Sequence, residues 1–439
     1  MELRSFLKKP LQKSKSVDVM RDGQKQTEPP SFRSRMRDVS TQTDGPTFQD
    51  ASTLTMEHLD NSYLAEQKAK DAAFYRKIPG DYHPDLAIVS VSHFFPGRDV
   101  YFDELKKRGD LASIVLKGSS NNEATREEFG EKYNFQLSKE DANDTRKVLE
   151  VFNKYIDREK KIIILDHGGY FASNIAQLQQ ALNGRILGVM EHTQNGHDRY
   201  KKEGERVPVP VVSIADCDLK NLVEPAIGAS VVSGTETALR ENGVTLHDKK
   251  SLVLGYGKVG EAIADKLPQG VTQVYDIDAL RKIKAIQSRR NLVKAPDRVN
   301  ALKNADIIFC AGGRNALQES DYAHMKDGVF IATVTSRDDA LHMPPSSYQL
   351  VRKPLDNNPI YTYVNRDTDH TVYLVNDGNA ANFIGQKSAV GSSVLAVLGA
   401  EITAMEQIYS ERDTLKNGLQ NPSRERQIQV AESWIEMLG

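Results

Sequence analysis

From Asp85 onward the chain alternates short apolar runs with amphipathic stretches. Leu86 to Val91, Leu111 to Leu116, Ile162 to Leu165 and Ile186 to Met190 are continuous apolar segments of strand length. Between them, Tyr101 to Lys107, Lys139 to Tyr155 and Ser173 to Leu182 carry apolar residues at helical spacing. Strands that are apolar on both faces, separated by helices, predict a parallel sheet covered on both sides. A linker runs through Pro208 and Pro210, and a helix from about Gly234 to Glu241 leads into a second set of apolar runs. That set includes Ile307 to Cys310, Val329 to Val334 and Val372 to Val375. A long helix over Ser388 to Tyr409 and a charged helical tail close the chain. The pattern predicts an α/β protein with two doubly wound, Rossmann-like parallel-sheet domains. The expected divisions are residues 84–230, residues 231–385, and C-terminal helices over residues 386–439 that return to the first domain.

The second set opens on Ser251 to Asp278, SLVLGYGKVGEAIADKLPQGVTQVYDID. An apolar strand feeds Gly255, Gly257 and Gly260 at GxGxxG spacing, and a helical stretch carrying Val259, Ala262, Ile263 and Leu267 on one face follows. The first glycine permits a tight turn, the second lets a pyrophosphate approach the backbone, and the third lets helix pack on strand. Lys258 and Val259 begin the helix whose N-terminus would receive the phosphates. A further strand, Val271 to Tyr275, ends at Asp276, placed to accept hydrogen bonds from an adenosine ribose. A carboxylate there favours NAD over NADP.

Composition narrows the class. A 39% hydrophobic content over 439 residues suffices for a large core, and a net charge of −2 makes no case for nucleic acid or membrane. Two cysteines, Cys217 and Cys310, are too few for a disulfide framework, so a reducing cytoplasm is expected. Residues 1–60 differ from the rest, with ten Lys/Arg against five Asp/Glu in the first forty positions and almost no aliphatic runs. Such a Ser/Thr-rich basic arm is expected to be disordered, with the capacity to take a protein partner.

SVSHFFPGRDV around His93, ILDHGGYFASNI, GVMEHTQNGHDRY, the Lys220/Glu224 pair, GYGKVG and YLVNDGNAANF occur in one order. Together they resemble S-adenosylhomocysteine hydrolase, from about Asp85 to Tyr409. The resemblance implies a substrate domain, a domain holding NAD tightly, and a long helix returning from the second to the first. The chemistry it implies is oxidation of a ribose 3′-hydroxyl, elimination of a thiol, addition of water and re-reduction by the retained NADH. It also implies that His93 and Lys220 are active-site residues, with Glu224 where the family has aspartate. Thr193, Asn195 and Asn382 match residues that contact the nicotinamide half of the cofactor.

The chain departs from the family on the substrate side. Two active-site carboxylates appear as His167 and His192, Thr335 stands where the family has a histidine, and Phe95 and Gly97 replace polar residues that read adenine. Ser388-Ala389 replaces a glycine-histidine pair, and the family's basic, tyrosine-bearing C-terminal tail is missing. A site that loses such hydrogen-bonding groups loses adenosine. If His167 and His192 protonate near neutral pH, an acidic ligand fits better.

Two readings follow. One is a NAD-dependent enzyme oxidising a hydroxyl of a non-adenosine, acidic or sugar-like small molecule, working as a homo-oligomer. The other is a catalytically inactive NAD-binding regulator. His93, His167 and His192 each follow a strand end where ligands to one ion could converge, but no HxxxH or CxxC spacing supports this, so no metal is expected.

Overall fold

Alternation along β1 (Leu86–Phe94) sends Leu86 and Ile88 to one core and Ala87, Val89 and Val91 to another, so the strand is buried on both faces. The computed structural model describes residue 63 and residues 65–438, apart from 95–96, 122–126, 128, 314–315, 336–343, 353–358 and 387–390. The expected disordered arm, Phe95 and Ser388-Ala389 lie outside the described residues.

Next in the chain come β2 (Asp110–Asn121), β3 (Lys161–Asp166), β4 (Ile186–Glu191) and β5 (Pro210–Ser213). A second series follows: β6 (Ser251–Leu254), β7 (Thr272–Tyr275), β8 (Asn291–Leu292), β9 (Ile307–Cys310), β10 (Val329–Thr333), β11 (Tyr348–Arg352), β12 (Ile360–Asn365) and β13 (Thr371–Val375). The last strand, β14 (Gly418–Gln420), follows the long helix.

The first sheet has the order β14-β5-β4-β3-β1-β2 and is parallel throughout. The second runs β11-β12-β13-β10-β9-β6-β7-β8. Counted from β6, its parallel part is the 3-2-1-4-5-6 order of a dinucleotide fold, with the switch point between β6 and β9. Open α/β sheets bind ligands outside the strand C-termini at such a point.

Three local expectations need correction. The helix expected over Lys139 to Tyr155 is two, Lys139–Ala142 and Thr145–Tyr155, because the Asp144 side chain accepts the Arg146 and Lys147 N–H groups and starts a new helix. The helix expected near Gly234 begins at Pro225, a residue suited to the first helical turn. The Pro208–Pro210 linker runs straight into β5, which begins at Pro210, and the second sheet is mixed near one edge, since β12 pairs antiparallel with both β11 and β13.

The Ser393–Ser410 helix packs into the core on one face of the first sheet. Glu406, on that helix, is 5% exposed and must be paired. Arg108 donates to Glu406 Oε1 (3.1 Å), to Glu104 Oε1 (3.0 Å) and to the carbonyls of Ile78 and Pro79, while His83 Nε2 lies 2.9 Å from Glu406 Oε2. No helix among the described residues is long and apolar enough to cross a membrane.

Arg108→Leu leaves two buried carboxylates without their guanidinium and should lower the unfolding free energy by about 3–5 kcal/mol. Guanidinium denaturation measures this, and a loss under about 1 kcal/mol would show that the network contributes little to the fold.

Candidate functional site

β3 and β4 end on the same pattern, an acid followed by a histidine: Asp166-His167 and Glu191-His192. The acids hold the turns. Asp166 accepts the N–H groups of Tyr170 (3.0 Å) and Phe171 (3.1 Å) and the Tyr200 hydroxyl (2.9 Å). Glu191 accepts from the Gly168, Gly169 and Thr193 N–H groups and from the Thr193 hydroxyl. Burial, and then the Asp166 charge, push Glu191 up to about 8, against the pull of these donors. Thr193 is also the N-cap of the Gln194–Glu203 helix, accepting the Gly196 N–H, so its hydroxyl is already committed. The turns braced in this way present His167 and His192 to one cavity.

Behind the histidines lies a residue that the sequence reading missed. Glu401 is fully buried on the Ser393–Ser410 helix; its Oε1 lies 2.5 Å from His192 Nδ1 and 3.1 Å from His167 Nε2, and its Oε2 accepts the Tyr101 hydroxyl at 2.5 Å. Burial pushes Glu401 up, but the His167 and His192 rings override it and hold the carboxylate well below its ordinary range. His192 is held well below its ordinary range by burial, then by Lys220 and His167. Burial, and then Lys117, do the same to His93. Of the positive charge expected from His167 and His192, that on His192 is therefore corrected: burial and the neighbouring Lys220 keep this ring neutral.

The cavity still has a basic lining. Of the charged groups along its wall, Arg98, Lys117, Arg199, Lys202, Lys220, Lys258 and Arg281 face Asp198, Asp216 and Glu224, seven against three. Lys220 is 4% exposed and donates to the His192 carbonyl, with its Nζ 3.6 Å from Glu224 Oε1. The pair does not share a continuous helix, because Glu224 sits at the junction of the Asp218–Val223 and Pro225–Arg240 helices. Lys258 reaches the same carboxylate at 3.7 Å and Asp216 at 3.0 Å.

The glycine turn forms the cavity's other wall. Gly255 has φ +100°, and a Cβ there would stand 2.5 Å from Gly312; a Cβ on Gly260 would stand 2.0 Å from the Gly255 carbonyl. At Gly257 nothing but the Arg281 guanidinium comes within 4 Å, which leaves the backbone open to a ligand. Asp276 is buried; its Oδ2 accepts the Tyr256 N–H at 2.6 Å and its Oδ1 the Asp278 N–H at 2.8 Å, bracing the turn. Asn382 carries a buried Oδ1 with no hydrogen-bond partner, and the residue lines the cavity. An orphaned amide oxygen and a cradle without side chains fit a dinucleotide.

No protein-family model matches the chain. An adenosylhomocysteinase of Aquifex aeolicus is 22% identical over 287 residues, 65% of this chain and 68% of that protein. One of Sulfurisphaera tokodaii is 25% identical over 311 residues, 66% and 71% of the two chains. The chain is thus similar, at low identity and over about two thirds of its length, to adenosylhomocysteinases. An S-inosyl-L-homocysteine hydrolase of Methanopyrus kandleri is 22% identical over 66% of this chain and 69% of its own. Among solved structures, the dipicolinate synthase A chain of Bacillus subtilis superposes with a TM-score of 0.39 at 11% identity, over 74% of this chain and 98% of that one. So loose a fit says nothing about chemistry.

Of the superfamily-type positions, His93, His167, His192, Thr193, Asn195, Lys220, Glu224, Gly257, Lys258, Val259 and Asn382 meet around the one cavity. Gly255, Gly260 and Asp276 stand outside its lining and support the turn. Thr335 also lines the cavity, with a buried hydroxyl that has no partner. Asp166 and Glu191 were present within the quoted motifs, and their repeated placement before a histidine was the signal to find them. Nothing local marks Glu401.

A Cβ on Gly196 would come within 2.1 Å of the Glu191 carboxyl carbon, whereas one on Gly270 meets nothing within 4 Å. Gly196→Ala should cost about 1–3 kcal/mol by overpacking, and Gly270→Ala close to nothing. Thermal unfolding of the two variants checks this, and equal melting temperatures would refute the role given to Glu191.

Proposed function

We propose that the chain is a NAD-dependent enzyme of adenosylhomocysteinase type that oxidises a hydroxyl of a small acidic or sugar-like molecule other than adenosine. The observation that carries the reading is a single cavity of about 610 Å³ that takes in Gly257, Lys258, Asn382 and Lys220 together. In this reading residues 231–385 hold the cofactor, and residues 84–230 with the 386–439 helices hold the ligand.

Bound NAD supplies a hydride acceptor; the remaining work falls to the protein. The Lys258–Lys266 helix N-terminus receives the pyrophosphate across Gly257. Asp276, which braces the turn, would accept from the adenosine ribose through its remaining lone pairs, and Asn382, with its orphaned Oδ1, would hold the carboxamide. Lys220 stands at the wall to take the proton of the ligand hydroxyl, with Glu224 Oε1 3.6 Å away to share the charge. The surplus of lysine and arginine orients a carboxylate or phosphate on the ligand.

The alternative, a catalytically silent NAD-binding regulator, is favoured by one contact: the Phe383 ring packs against the His93 ring, with centroids 4.6 Å apart and planes tilted by 35°. Screening hydroxy acids, sugar acids and nucleotides for NADH absorbance separates the two. The enzyme should give a hit that Lys220→Met abolishes while NAD affinity stays unchanged. A hit that survives Lys220→Met at full rate removes Lys220 from the chemistry, and the absence of any hit selects the regulator.

Cofactor choice is a separate expectation. Asp276 at the end of β7 should make NAD bind more tightly than NADP. Arg281 Nη1, 3.8 Å from Asp276 Oδ2, is a lining cation beside the turn placed to welcome a 2′-phosphate. Isothermal titration with both cofactors decides it, and tighter NADP binding that Arg281→Ala removes would assign the discrimination to the arginine.

A further inference from the structure

The cluster at the floor of the cavity carries a site beyond that reading. His167 Nε2, His192 Nδ1 and a Glu401 carboxylate oxygen all lie within 4.8 Å of one another. They reach this point from β3, β4 and a helix more than 200 residues downstream.

Hydrogen bonding alone does not account for the three groups. The His192–Glu401 pair is satisfied at 2.5 Å. His167 Nε2 is buried and aimed at the same carboxylate oxygen from 3.1 Å, yet off the line of a hydrogen bond, and it has no hydrogen-bond partner. A buried ring nitrogen in that condition requires an explanation.

We propose that His167, His192 and Glu401 form a mononuclear site for a divalent transition ion, zinc by its ligand set, with an open coordination position facing the cavity. Two imidazoles and a carboxylate are a zinc set, and three protein ligands leave one position for water or a ligand oxygen. Ligand atoms around tetrahedral zinc stand roughly 3.4 Å apart. The 3.1 Å separation is close to that value, and the 2.5 Å separation needs the His192 ring to retreat by less than about 1 Å.

The surroundings support the ligands. Tyr101 donates its hydroxyl to the second Glu401 oxygen, the outer contact that orients a ligating carboxylate. Lys117 Nζ donates to the His167 carbonyl at 3.0 Å and Lys220 Nζ to the His192 carbonyl, so two nearby ammonium groups are turned onto backbone oxygens. Glu401 faces the ion directly, and Asp166 and Glu191 precede the two histidines. His167 and His192 line the cavity, so an ion there would take an oxygen of an acidic ligand. Metal binding does not depend on the cofactor reading, and the test reads metal rather than turnover.

The full chain, purified without a histidine tag or chelator, should carry about one zinc by elemental mass spectrometry. After stripping with EDTA, cobalt(II) titration should give visible d–d absorption that saturates at one equivalent. His167→Ala, His192→Ala and Glu401→Gln should each weaken cobalt binding at least about tenfold, and Tyr101→Phe by about 10- to 100-fold. His197→Ala, whose ring instead meets Ser213 Oγ at 3.0 Å, should leave it unchanged. Circular dichroism identifies any variant that fails to fold. Should Glu401→Gln misfold, His167→Ala carries the test, because it removes a ring nitrogen that has no hydrogen-bond partner. Metal-free protein with no saturable cobalt absorption overturns the proposal, as does absorption that persists in folded His167→Ala and His192→Ala.

Discussion

Two carboxylates carried into the core by one apolar helix set the terms for the rest of the structure. The Ser393–Ser410 helix is buried along most of its length, and Glu401 and Glu406 are its acidic residues there, at 0% and 5% exposure. Neither can be left without donors, since an unpaired buried charge costs several kcal/mol. Glu406 meets this need with Arg108 and His83, which ties in the segment preceding β1 and the Asp99–Lys106 helix. Glu401 meets it with Tyr101 and His192, and His167 stands 3.1 Å away, all three drawn from the C-terminal side of the first sheet. A single helix therefore fixes both the outer packing of that sheet and the position of its cavity histidines.

The nucleotide half of the site was legible in the residues because its chemistry is local. A glycine turn, the helix it opens and the acid ending the next strand fall within 28 consecutive residues, Ser251 to Asp278. Each serves the backbone geometry directly, and the structure shows why: Gly255 and Gly260 sit where a Cβ would collide with backbone. The two parallel sheets were legible for a related reason, since strands buried on both faces leave continuous apolar runs. Strands at sheet edges do not. β5, β11, β12 and β14 are edge or near-edge strands with mixed sequences, and Pro210 made β5 read as linker.

The ligand half was legible only in part, because its electrostatics depend on long-range pairing. His167 and His192 could be placed at the cavity, but their charge could not be judged without Glu401, which lies 209 residues beyond His192. Along the helix Glu401 is one polar residue in an apolar stretch, and the helical pattern gives it no special status. Burial then reverses the expectation for His192, which is held neutral. Thr193 shows the same limit: its hydroxyl is used by Glu191 and the Gly196 N–H before any ligand arrives.

The positive charge at the cavity comes from residues other than the histidines. Fixed cations on the wall, Arg98, Lys117, Lys202 and Arg281 among them, replace the titrating imidazoles as the source of positive potential. Arginine and lysine stay charged through neutral pH, so attraction of an anion would vary little where histidines would have switched it. His192, relieved of that task, stands neutral against a buried carboxylate, a condition in which a nitrogen lone pair can serve as a ligand. The cavity thus separates its groups by residue type: lysine and arginine line the wall, while imidazole and carboxylate converge at the floor.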